Sequence, residues 1–178
     1  RFIGDPDTRI AEDRLRVYRF FRFSASHGHE EFDDDGLAAV GRAASDLSSL
    51  SAERVGSEIR RMLEVGRVAR TFTAMSSAGV LVLPPGLLDE LGGYERRARR
   101  PNAGPRLALM IAALGPRWVK DAWRLSNDDV AGAEAMLAAE RLLIDFKINE
   151  AAYRFPAVQA HGVELGASPA GWTEAGEC

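Results

Sequence analysis

Cysteine is almost missing from this chain. The one thiol, Cys178, is the last of its 178 residues, so no internal disulfide can form, which fits a reducing compartment. No apolar run approaches the roughly 20 residues that a membrane span needs. The first residues carry no basic n-region, apolar h-region or small-residue cleavage site, which excludes a signal peptide there; a cytoplasmic setting is expected. Charge of one sign is not in excess either. The net charge of −3 gives no global pull toward nucleic acid, so any RNA contact must come from local basic patches. Strand-like alternation is scarce, and the best apolar run, Gly79-Val80-Leu81-Val82-Leu83, ends at once in Pro84-Pro85. The chain also lacks an opening Met; its start at Arg1 reads as a cut inside a longer protein.

What remains is an ordinary soluble composition, 46% hydrophobic and 28% charged, in a chain long enough to bury a real core. Helical spacing dominates, and the fold class expected is all-α. A first helix is predicted from Asp7 or Thr8, either of which could cap it, to Gly28 at its C-terminal end. Asp33 to Asp35 supply a cap and an acidic first turn for a second helix, and Ser51 caps a third that carries Ile59, Met62 and Leu63 inward. Later helical patterns cover about 66–78, 87–99, 105–114, 117–125 and 127–153. They are separated by Pro84-Pro85, the Pro101–Pro105 stretch and Gly115-Pro116. Beyond Pro156 the chain turns Gly- and Ala-rich.

The first helix holds the informative pattern. At about 100° per residue, Arg9, Glu12, Asp13, Arg16 and Arg19 fall within an arc of roughly 120°, while Ile10, Val17, Tyr18, Phe21 and Ala25 gather on another side. Arg9–Asp13 and Glu12–Arg16 are i,i+4 pairs of opposite charge, which reads plainly as a solvated, salt-bridged face. Phe20 and Phe23 lie close to the charged arc, however, and exposed aromatics beside charge mark a surface that something else covers. Asp13 and Arg16, three residues apart, are expected to project side by side, one acceptor-only and one donor-only. Such a pair suits adenine and cytosine, which each show an amine donor beside a ring-nitrogen acceptor. It mismatches guanine and uracil, and buried mismatches of this kind are rejected by roughly four orders of magnitude or more.

Gly4 to Gly28, with Glu12, Asp13 and Arg16 forming Glu-Asp-x-x-Arg, resembles the start of the neck domain in class II tRNA nucleotidyltransferases and the related bacterial poly(A) polymerases. Ser49 to Leu63 is similar to the next motif of that family, Glu-Arg-x-x-x-Glu, at Glu53, Arg54 and Glu58. The resemblance covers roughly residues 1–83 well. It implies that Asp13 and Arg16 read the incoming nucleobase, that Glu12, Arg19 and Arg9 belong to the same nucleotide-binding face, and that Glu53, Arg54 and Glu58 support it. It implies a neck over residues 1–65, a helical body over 66–125 and the beginning of an RNA-binding tail over 126–178. The family's catalytic carboxylates, its Gly-Ser strand and its Arg-Arg-Asp motif belong to a head domain with no counterpart here. No catalytic residue is therefore expected in this chain, which alone should be inactive. Mg²⁺ would be bound by that head, ATP and CTP would be the substrates, and tRNA or another RNA 3′ end the partner. A poly(A) polymerase, or a non-catalytic helical RNA-binding module, are the alternatives.

Other features carry less. Arg96, Arg97, Arg99 and Arg100 form the densest basic run, either a solvated helix end or, given the resemblance, a contact to the RNA backbone. Arg60 and Arg61 read the same way. His27, His29, Glu30 and Glu31 make a polar helix-end loop, without the second ligand cluster that a metal site would need. Trp118, Trp123 and Trp172 are expected in the core or at helix caps. With no head to cover Phe20, Phe23 and the Asp13/Arg16 face, the chain is expected to pair with another copy through it, or to lose order in its first turns.

Overall fold

The computed structural model describes residues 2–155. Within them the chain forms ten α-helices: α1 Pro6–Glu12, α2 Arg16–His27, α3 Asp34–Ala43, α4 Ala52–Leu63, α5 Ala69–Ser77, α6 Pro85–Arg97, α7 Ala103–Leu114, α8 Pro116–Trp123, α9 Asn127–Ile144 and α10 Ile148–Arg154. A 3-10 turn at Ala44–Ser49 joins α3 to α4. No strand occurs among the described residues; the fold is all-α, as the periodicity predicts. Trp172, Cys178 and the tail beyond Phe155 lie outside the described residues.

Several caps fall where the sequence places them. The Asp33 carboxylate accepts from Gly36 N–H, and Ser51 Oγ accepts from Arg54 N–H. Ser126 and Asp129 form a reciprocal capping box at the start of α9. Helix α2 packs on α4 and α5, α4 on α7 and α8, and α7 on α6 and α9. One apolar core runs through these contacts from Ile10 to Ala133, and a small second cluster, Leu143 with Ala151, joins α9 to α10.

Two helices predicted as continuous are broken. The first stops at Glu12 and restarts at Arg16, with Asp13 extended at φ −150°. The break is held by side chains, since Arg16 Nη1 donates to the carbonyl of Arg9 at 2.7 Å and Asp13 Oδ1 accepts from Leu15 N–H at 3.2 Å. The predicted helix at 127–153 is broken after Ile144. There Phe146 takes φ 57°, Phe146 N–H donates to Leu143 and Lys147 N–H to Leu142, the paired closure of a Schellman end. A Phe stands where a Gly would have announced the stop. The reading of Phe20 as an exposed aromatic is also corrected. Phe20 is buried, stacked on Phe2 at 5.2 Å and edge-on to Phe21, with Gly36 leaving room for its ring.

Gly28 ends α2, but the left-handed residues there are His29 and Glu30. Trp123 is buried and meets Trp118 edge-on at 5.8 Å. Trp118 itself is exposed, against the expectation of a core or cap position.

Candidate nucleobase-reading site

The break between α1 and α2 places the charged residues of the first motif in two linked groups. In the first, Glu12 receives both Arg9 and Arg16. The hydrogen bond from Arg16, helped by the charges of both arginines, holds the Glu12 carboxyl below the usual carboxylate range against the opposing effect of desolvation. The predicted Arg9–Asp13 pair is not formed, because Asp13 leaves the helix before reaching that register.

Asp13 instead begins the second group. Its Oδ1 accepts from Arg54 Nη2 at 3.1 Å, and its Oδ2 lies 3.7 Å from Arg19 Nη1. Arg19 continues to Glu58, with Nε 3.3 Å from Oε1, while Arg22 Nε donates to Glu58 Oε2 at 2.6 Å. Glu58 is buried, its side chain 4% exposed, so the contact ties α4 firmly to α2. Arg54, Asp13, Arg19, Glu58 and Arg22 thus form, in that order, one chain of alternating charge, two members of which come from α4. Arg54 and Glu58, to which the resemblance assigns a supporting role, both contact residues at or beyond the break. Glu53 does not join it; its exposed carboxylate faces Arg124 at 3.8 Å.

Sequence reasoning missed Arg22, the closer partner of Glu58. It lies 60° beyond Arg19 on a helical wheel, outside the arc of roughly 120° that the other charged residues share. Its guanidinium also lies 4.2 Å over the ring of Phe23, a cation–π contact that holds this half-exposed aromatic in place.

Beside these groups is an open cleft of about 250 Å³, lined by Phe2, Ile3, Phe20 and Phe23 and by Arg9, Arg16 and Arg19. Pockets that enclose small ligands usually span roughly 300–1,000 Å³. Aromatic rings and guanidinium groups are what a stacked, hydrogen-bonded base requires. Arg96, Arg97, Arg99 and Arg100 are exposed at the end of α6 and in the link to α7, and join neither group. His27 pairs with Ser26, and Glu30 turns inward to Thr71.

The Mg²⁺ that the resemblance implies does not fit the carboxylates of this site. Glu12, Asp13 and Glu58 are each engaged by arginine, and no group of three or more His, Cys, Asp or Glu among the described residues could hold a metal ion.

Known proteins resemble this chain over much of its length. The CCA-adding enzyme of Geobacillus thermodenitrificans is 31% identical over 147 residues, covering 78% of this chain and 36% of that protein. The mitochondrial CCA tRNA nucleotidyltransferase 1 of Danio rerio is 37% identical over 120 residues, 64% of this chain and 27% of its own. The crystal structure of the Bacillus stearothermophilus CCA-adding enzyme in complex with CTP superposes with a TM-score of 0.71 at 27% identity, covering 95% of this chain and 46% of that one. The chain is similar to part of the CCA-adding enzymes. No family model matches it. It spans about a third of the length of such curated relatives. Among the described residues no helix is long and apolar enough to cross a membrane.

Proposed function

We propose that this chain is the nucleobase-selecting neck and RNA-gripping body of a tRNA nucleotidyltransferase that adds CCA to tRNA 3′ ends from CTP and ATP. The observation that carries this reading is the pair Asp13 and Arg16 on either side of the α1–α2 break. Each is fixed through some of its atoms and open through others. Among the described residues, Arg16 hydrogen-bonds through Nη1 alone, leaving Nη2 and Nε to donate to a ring nitrogen. Asp13 receives its hydrogen bonds on Oδ1, leaving Oδ2 to accept from an exocyclic amine. Cytosine and adenine complement that pair, whereas guanine and uracil set carbonyl against carboxylate and N–H against N–H.

Arg9, Glu12 and Arg19 hold the two readers in register, with Arg54 and Glu58 bracing them from α4. Glu53 supports them only indirectly, through its place on that helix. Residues 1–65 act as neck, 66–125 as body and 126–178 as the start of a tail. Arg96, Arg97, Arg99 and Arg100 meet phosphates of the RNA. Mg²⁺ and the triphosphate are the business of a catalytic head, which acts in the cytoplasm together with this region. The half-exposed Phe23 and the exposed Ile3 mark where such a head sits; without one, two copies would pair there. Poly(A) addition is the less favoured reading, since the relatives are named for CCA.

The test is nucleotide choice in the enzyme that carries this region with its head. Asp13→Ala and Arg16→Ala should each lower CTP and ATP use and relax rejection of UTP and GTP. A charged hydrogen bond contributes roughly 1.5–3 kcal/mol, so changes of about ten- to hundredfold are expected. Unaltered nucleotide preference in both variants sinks the assignment.

A further inference from the structure

A second cleft, of about 520 Å³, opens where the end of α2 meets the link from α4 to α5. His29, Glu30, Gly66, Arg67 and Arg70 are among its walls, and the base-reading residues are not. Three backbone amides at the start of α5 are already taken, those of Val68, Ala69 and Thr71. Glu95 accepts from Val68 and Ala69 N–H at 2.9 and 3.2 Å, and the buried Glu30 accepts from Thr71 N–H at 2.7 Å and Thr71 Oγ at 2.9 Å. An anion in this cleft is therefore held chiefly by side chains.

Those side chains are in place. Arg67 and Arg70 are exposed and form no ion pair or hydrogen bond with any described residue, unlike Arg42, Arg54 and Arg60, which each have a carboxylate. Arg70 lies in the first turn of α5, which holds no acidic residue. A cation is disfavoured at that end of a helix, and an anion between the two guanidinium groups would reverse the penalty. His29 and Glu30 are consecutive non-glycine residues at φ 51° and 60°, a conformation that persists only when its surroundings enforce it. The Glu30–Thr71 bonds do so, and they leave the exposed imidazole of His29 on the wall of the cleft.

We propose that Arg67, Arg70 and His29 form a phosphate site, which takes a phosphodiester of the RNA substrate. That the phosphate comes from RNA rests on the function proposed above; the affinity for phosphate does not.

The experiment uses the whole chain in two arms. In the first, inorganic phosphate is titrated at constant ionic strength against the arginine Nε–H signals in NMR, with chloride as reference. In the second, the affinity of a tRNA acceptor-stem minihelix is measured against salt. Arg67→Gln/Arg70→Gln should abolish the phosphate response and lower the salt slope by up to about two, at roughly 0.9 per contact. Minihelix affinity should fall tenfold or more. Arg67→Lys/Arg70→Lys should keep much of the slope, and the charge-matched Arg117→Gln/Lys120→Gln should leave the phosphate response intact.

A lost phosphate response with unchanged minihelix binding assigns the cleft to a free phosphate or pyrophosphate anion and overturns the RNA assignment. No phosphate response in the wild-type chain, or minihelix losses equal in the two Gln double variants, overturns the site. Neither result touches nucleotide choice by Asp13 and Arg16, which is read in a separate assay.

Discussion

Gly56 offers the sharpest test of how the site is braced. A Cβ built on it would lie 1.8 Å from the carbonyl oxygen of Trp123 and 2.5 Å from its carbon. Ordinary contact begins near 3.4 Å, so α4 and α8 would have to part by more than an ångström. Trp123 presents backbone here, which cannot rotate aside as a side chain can. Overpacking typically costs about 1–3 kcal/mol, and this clash belongs at or above the upper end. Alanine regains about 1 kcal/mol over glycine in a helix interior, leaving a net loss of about 2 kcal/mol or more for Gly56→Ala. Gly132, inside α9, is the matched control, because a methyl added there would meet no heavy atom within 4 Å. Gly132→Ala should be neutral or stabilising by up to about 1 kcal/mol. Urea unfolding of both variants, compared through midpoint and slope, gives the answer. A Gly56→Ala protein as stable as the wild type would refute the close crossing of α4 and α8. Because Arg54 and Glu58 flank Gly56 on α4, the same variant in the complete enzyme should also blur discrimination against UTP and GTP.

Two further outcomes follow from the ion pairs. Glu58→Ala should cost about 2–3 kcal/mol, below the roughly 3–5 kcal/mol usual for breaking a buried pair, because Arg19 is 44% exposed. A double-mutant cycle with Arg22→Ala should show coupling of at least about 1 kcal/mol, and simple additivity would contradict the shared contact. On α9, Glu140 has its pKa raised, chiefly by desolvation and then by Glu90. A raised folded-state pKa means that stability from this group is full below its unfolded pKa and lost as pH rises through the folded one. Glu140→Gln should therefore raise the melting temperature at about pH 7, with the gain shrinking toward about pH 4; a gain that grows on acidification would reverse the sign.

The fold class was legible because apolar spacing near 3.6 recurs through most of the chain and Pro or Gly marks most of the stops. The caps at Asp33 and Ser51 were legible for the same local reason. The two missed breaks have no such marker. Asp13 leaves the helix because Arg16 and its own carboxylate satisfy the freed backbone groups, and Phe146 adopts a left-handed turn at a residue with no preference for it. Phe20 was misplaced because its wheel position borders the charged arc, while its burial depends on Phe2 and Gly36, which come from separate segments. Arg106 shows the limit most plainly. It is fully buried in α7, yet donates to the carbonyls of Leu63 and Gly66 and to Glu95, a network spread over three segments that no local pattern announces.

The break at Asp13 also changes how the proposed base-reading pair is held. On one continuous helix, Asp13 and Arg16 would keep their spacing through backbone geometry alone, and residues elsewhere could only modulate it. With Asp13 extended, the positions of its two oxygens depend on Leu15 N–H, Arg54 and Arg19, and Arg19 depends in turn on Glu58. Arg16 depends on a carbonyl and a carboxylate of α1. The proposed reading pair is therefore set by how α1, α2 and α4 meet. Arg19 holds Asp13 only at 3.7 Å, longer than its 3.3 Å contact with Glu58, so Asp13 can turn an oxygen toward a base amine while α2 stays anchored to α4. Under the proposed function, a shared cation with one firm and one loose partner would allow one reader to yield as cytosine or adenine enters.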